Sequence, residues 1–233
     1  LALREPTGIG MGVGSPILFL IVFGVIGILS PGNVANTGYT VLDLYVPTIM
    51  VITFIFLGIA SLPVTLVKYR EMGWLRRIST TPVPPSRLLV AQLVLNLVLA
   101  LASILIVIIG SELIFGAPLT VNIPYFVLSI ILSIAAIFSL GLVVAAVAPT
   151  QTIASILTGF LMFLMLFLSG LWIQPALLGG PLATIMYYSP AGAAVRAVLY
   201  SVFNTPPPYT TLLTMAAYTA IFSFIATRYF RWE

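Results

Sequence analysis

The sequence has 233 residues, 61% of them hydrophobic and 6% charged, with a net charge of +4 and neither cysteine nor histidine. Soluble domains carry about 25% charge, so this composition excludes a soluble globule and describes a polytopic integral membrane protein. Without Cys and His the chain has no disulfide, none of the commonest zinc and haem ligands and no thiol or imidazole catalyst, and its small, local charge excess does not suit nucleic acid.

A helix needs about 20 apolar residues to cross the hydrocarbon core. Six stretches qualify, predicting an all-α protein with six transmembrane helices. Leu1 stands where an initiating methionine would, so the chain is expected to begin downstream of the true N-terminus. A glycine-rich stretch, 8–14, leads into the first span, 15–29, and the second span covers 44–67. Residues 68–87 then hold six of the fourteen charged side chains: Lys68, Arg70, Arg76, Arg77 and Arg87 against Glu71 alone. Spans three to six cover 88–109, 124–148, 152–171 and 210–227. The loop before span two offers only Asp43 and the loop after span three only Glu112, while Arg228 and Arg231 follow span six. Basic residues stay in the cytoplasm, so the 68–87 loop and both termini are placed there. Trp74, Tyr229 and Trp232 then lie at the inner face, and Trp172, Tyr187, Tyr188 and Tyr209 at the outer.

Residues 172–208 are too apolar for a solvated loop and too broken, by Pro175, Gly179, Gly180, Pro181 and Pro190, for one span. Non-helical backbone survives at membrane depth only where protein covers it. Two short helices, about 182–188 and 191–203, are expected to dip into the outer leaflet and return. An interfacial helix lying flat on the outer surface is the alternative.

The spans hold no deep ionisable residue, which argues against a proton- or sodium-coupled pump. Phe54 and Phe56 in span two and Phe163 and Phe167 in span five are candidate path residues for a hydrophobic or amphipathic substrate, or ordinary packing residues. Gln92 and Asn96 share a helix face at i and i+4, placed either for interhelical hydrogen bonds or for substrate contact. Glu112 and Arg196 form a candidate outer gate, with solvated surface charges as the alternative. No catalytic, cofactor-binding or metal-binding residue is expected.

In the basic loop, a helix over 71–79 would line up Met72, Leu75 and Ile78 as a narrow apolar stripe flanked by Arg76 and Arg77. Glu71 would suit its first turn, and Pro82, Pro84 and Pro85 would stop it. On these grounds alone it could be a surface anchor. The run EMGWLRRISTTPVPPSR, however, resembles the E-x-G-x-[LW]-x-x-[LI]-x-x-[ST]-P-[VL] stretch in permeases of type 2 ABC exporters. Glu71, Gly73, Leu75, Ile78, Thr81, Pro82 and Val83 fall on that pattern. Phe167-Leu168-Ser169-Gly170 is similar to the L-S-G that closes the family's fifth span, and Tyr188-Ser189-Pro190 with Arg196 to its N-P-[LM]-x(2–4)-[AV]-x-R segment. Two departures stand out: Ser189 occupies an Asn position, and the basic helix before span one is reduced to residues 1–6.

The resemblance covers essentially the whole chain. It implies a bacterial cell-membrane permease whose 71–79 helix couples to a separate ATPase. Glu71, Met72, Gly73, Trp74, Leu75, Arg76, Arg77, Ile78 and Pro82 would carry that coupling. The implied partners are two ATP-binding cassette subunits, which hold ATP and Mg, and a second permease, identical or paralogous. Membrane lipid surrounds the assembly and no nucleic acid is involved. The chain has no G-x-x-x-x-G-K-[ST] loop, so ATP hydrolysis falls to the partner. The implied cargo is a drug, antibiotic or lipid. An ABC-associated permease doing assembly, mechanical or cofactor-export work is the competing reading, and a membrane-embedded enzyme the more distant one.

Overall fold

The computed structural model describes residues 10–29, 32, 40–72, 86–116 and 119–229. Among them every regular element is helical, and an isolated β-bridge joins Thr120 and Phe203. A π-helical turn, Gly10–Gly14, enters α1 (Ser15–Leu29). The second span is built from α2 (Val41–Ile55), a π-helical segment (Phe56–Ser61) and α3 (Leu62–Glu71). Then come α4 (Ser86–Phe115), α5 (Ile123–Val147) and α6 (Gln151–Leu168). The short helices α7 (Pro175–Leu178), α8 (Gly180–Tyr188) and α9 (Pro190–Val202) precede α10 (Tyr209–Tyr229).

Six helical segments among the described residues are long and apolar enough to cross a membrane, as the sequence predicts. Their ends shift by a few residues, and two of the shifts have a local cause. The second span starts early, at Val41, because Thr40 and Asp43 form a capping box: the Asp43 amide donates to Thr40 Oγ1 (3.2 Å) and the Thr40 amide to Asp43 Oδ2 (2.9 Å). The third runs on to Phe115, past the polar Ser111 and Glu112, and stops before Gly116, which takes a left-handed φ of +63°.

The spans are not equivalent. In the second and fourth, 72% and 67% of an 18-residue apolar stretch is buried, against 17–28% in the other four. Spans two and four are therefore the axis of the bundle and the others its shell. Gly141 on α5 makes the axis possible: a Cβ there would overlap the Gly58 carbonyl of the π-helical segment. That segment has a local cause. Pro63 has no amide to offer the carbonyl four residues back, and its ring crowds that carbonyl, so the regular helix gives way just before it.

The 172–208 region forms α7, α8 and α9, matching the two expected helices to within two residues at their starts. Ten of the thirteen residues of α9 are buried, and it packs on α5, α10 and α2. Its small residues Ala191, Gly192, Ala193, Ala194 and Ala197 let neighbours approach closely: a Cβ on Gly192 would overlap the Met186 carbonyl of α8. Whatever its depth in a bilayer, α9 is part of the bundle's packing.

Candidate functional site

The bundle has two chemically distinct ends. At one, α3 delivers Lys68, Arg70 and Glu71 to the start of the basic loop. Lys68 and Glu71 are exposed and Arg70 is half-buried. The Arg70 guanidinium donates to the Ala145 carbonyl (3.3 Å) and to the Ala148 carbonyl. These lie at the C-terminus of α5, where carbonyls lack intrahelical partners and the helix dipole favours a cation. Next to it the Glu71 carboxylate accepts from the Gln151 amide (3.0 Å), the first residue of α6. An acid suits that end for the opposite reason. Thr150 shares the work, its hydroxyl accepting from the Ile153 amide at 3.3 Å. Beneath these contacts Val67, Ala148 and Ala154 close a separate dry patch, with Leu157 against it.

Of the residues expected to couple to an ATPase, Glu71 and Met72 stand at this end of α3, and the Met72 side chain is exposed. Gly73, Trp74, Leu75, Arg76, Arg77, Ile78 and Pro82 lie outside the described residues. Nothing in the local sequence announced the partners of Arg70 and Glu71, which are 75 to 80 residues away.

The candidate path residues fall in different places. Phe54 is fully buried in the core, and Phe56 is half-buried, stacking on Phe19 of α1 at 6.3 Å between ring centres. Gln92 and Asn96 are buried on the inner face of α4, and Asn96 Nδ2 donates to the Gln92 carbonyl (2.9 Å). Phe163 is exposed on α6; it and Phe167 flank Trp172, with ring centres 5.4 and 6.4 Å from the indole. Phe163 and Phe167 are thus brought together, with Trp172 as their common partner, while the other four sit elsewhere. A groove of about 780 Å³ opens between α4, α5 and α10, lined by apolar residues such as Leu97, Leu101, Phe126 and Phe138, with Ser139 and Thr219 among few polar groups.

At the opposite end, neutral groups do the joining. Asn122 Nδ2 donates to Asn204 Oδ1 (2.8 Å), the Asn122 amide donates to the Ser201 carbonyl (2.9 Å), and the Ser129 and Ser201 hydroxyls pair at 2.9 Å. Ser189 caps α9, its hydroxyl accepting from the Gly192 amide (3.0 Å) and donating to the Met186 carbonyl (2.8 Å). Ser and Asn are comparable N-caps, which accounts physically for Ser at a position where the resembling segment has Asn. Arg196 lies over the Tyr187 ring at 4.9 Å and near the Tyr200 ring at 5.8 Å, while Glu112 is exposed near the end of α4. The structure does not pair Glu112 with Arg196 among the described residues.

No group of three or more His, Cys, Asp or Glu that could hold a metal occurs among the described residues. A family model described as ABC-2 type transporter matches residues 1–203. Among curated proteins none matches the chain.

Proposed function

From the premise that the chain belongs to the ABC-2 type transporter family, as the permease of an ABC transporter, we propose that it is the membrane-spanning half of an ATP-driven exporter. The observation that carries this reading is the family match over 203 residues, joined to the E-x-G…T-P-V run from Glu71 to Val83 that begins where α3 ends. Two ATP-binding subunits, holding ATP and Mg, would close on that run in each of two permeases, identical or paralogous. The basic loop and both termini then face the cytoplasm of a bacterial cell.

The cargo is hydrophobic or amphipathic, a drug or a lipid. The spans carry no buried charge that would recognise an ion, and α6 presents Ile156, Phe160 and Phe163 outward rather than into the core. Docking would rest on Met72, Trp74, Leu75 and Ile78, with Glu71, Arg76 and Arg77 adding charge complementarity.

The test is to solubilise the tagged protein gently from its native membrane, with nucleotide present, and identify stoichiometric companions by mass spectrometry. A soluble ATPase with a Walker-type loop is expected, and the double change Leu75→Asp, Ile78→Asp should release it. Recovery of the permease alone overturns the exporter reading. An ATPase retained by the double variant overturns the docking contacts but keeps the transporter.

A further inference from the structure

The two helices flanking the basic loop, α3 and α4, are seated differently. α3, on the N-terminal side, is held to α5 and α6 by the Arg70 and Glu71 hydrogen bonds and by the Val67–Ala148–Ala154 patch, whereas it touches α4 little. The geometry points to a clamp: Arg70 and Glu71 make α3, the end of α5 and the start of α6 one mechanical unit, so a displacement taken up by α3 is passed through packing to the fifth span rather than to the third. This rests on the exporter reading of the loop and adds the route its stroke takes.

Three features of the chain make the route physical. The contacts are directional, because a cation on the α5 C-terminus and an anion on the α6 N-terminus each meet the helix end of opposite partial charge. They are also adjacent in sequence, so neither helix end can shift against α3 without breaking one of them. Above the clamp, the π-helical segment Phe56–Ser61 sets the carbonyl of its buried Gly58 against Gly141 of α5, so α3 and α5 are joined on both sides of α3. The driven element, α6, is the one that exposes Ile156, Phe160 and Phe163. Arg70 and Glu71 are therefore positioning residues for the aromatic face, acting at a distance from any cargo.

The absence of cysteine allows paired labels without background. Spin labels at Val90→Cys on α4 and Ser155→Cys on α6 report across the proposed break, and labels at Lys68→Cys and Ser155→Cys report within the clamped unit. All three positions are exposed. In the complex with its ATPase, with one labelled permease copy, trapping with ATP and vanadate should change the first distance and leave the second fixed. In the Arg70→Ala variant, which leaves the docking residues intact, the first change should fall to less than about half and the second distance should begin to move. Arg70→Lys, which keeps a cation at the α5 C-terminus, should retain most of the response. A wild-type response in Arg70→Ala overturns the clamp and leaves the transporter standing. A wild-type complex that binds no ATPase overturns the transporter reading, and the clamp's stroke with it.

Discussion

The two ends of this bundle are fastened by opposite chemistry. At the hairpin end, Ser129, Ser201, Asn122, Asn204 and Ser189 join α5, α9 and the turns around them through neutral hydrogen bonds, several of them buried. At the basic end, Arg70 and Glu71 join α3 to α5 and α6 through charges set against helix termini at the bundle's rim. The hairpin end is not free of charge, since Arg196 lies over the Tyr187 ring there, but the bonds between its elements are neutral, whereas the basic end sets a charge against each helix terminus.

The largest effect is expected at the axis both ends share. Gly141→Val would drive a branched side chain into the Gly58 carbonyl, costing about 3 kcal/mol or more through backbone shift, read as a lowered thermal unfolding midpoint in detergent. Survival of the wild-type midpoint would mean the second and fourth spans do not touch there.

Gly192→Val tests the hairpin end in the same way, against the Met186 carbonyl, and should cost about 1–3 kcal/mol. The smaller change Ser189→Ala removes the α9 cap and should cost about 1 kcal/mol, whereas Ser189→Asn should be close to neutral. Equal losses from Ala and Asn would show that the cap is not what the serine supplies. A double-mutant cycle on Ser129→Ala and Ser201→Ala should give a coupling of about 0.6 kcal/mol, typical of hydrogen bonds between membrane helices.

The smallest stability effect belongs to the clamp. Arg70→Ala or Glu71→Ala should each cost about 0.3–1 kcal/mol, and that cost should shrink as salt is raised, while the Ser129–Ser201 coupling should not respond to salt. Salt dependence at both ends, or at neither, would erase the distinction between them.

Much of this was legible in the chain. The apolar runs gave six spans, because a membrane helix must satisfy its backbone internally and cover itself with hydrocarbon. Pro175, the Gly179–Gly180 pair, Pro181 and Pro190 marked the hairpin helices, and the charge of 68–87 marked the basic end. Two further features carry a local signal: Pro63 announces the π-helical segment, and the Ala and Gly of α9 announce its burial.

The sequence by itself therefore determined the class of protein, the number of spans and the place where charge gathers, since hydropathy and charge are properties of each segment alone. Only the tertiary structure decided which spans form the axis, that Phe54 is buried while Phe163 is not, and that Arg70 and Glu71 grip helices 75 to 80 residues away. All six spans are predominantly apolar, so hydrophobicity alone does not choose among their neighbours. That choice falls to close approach at Gly58 and Gly141 and to a few polar contacts, and these exist only once the helices have met.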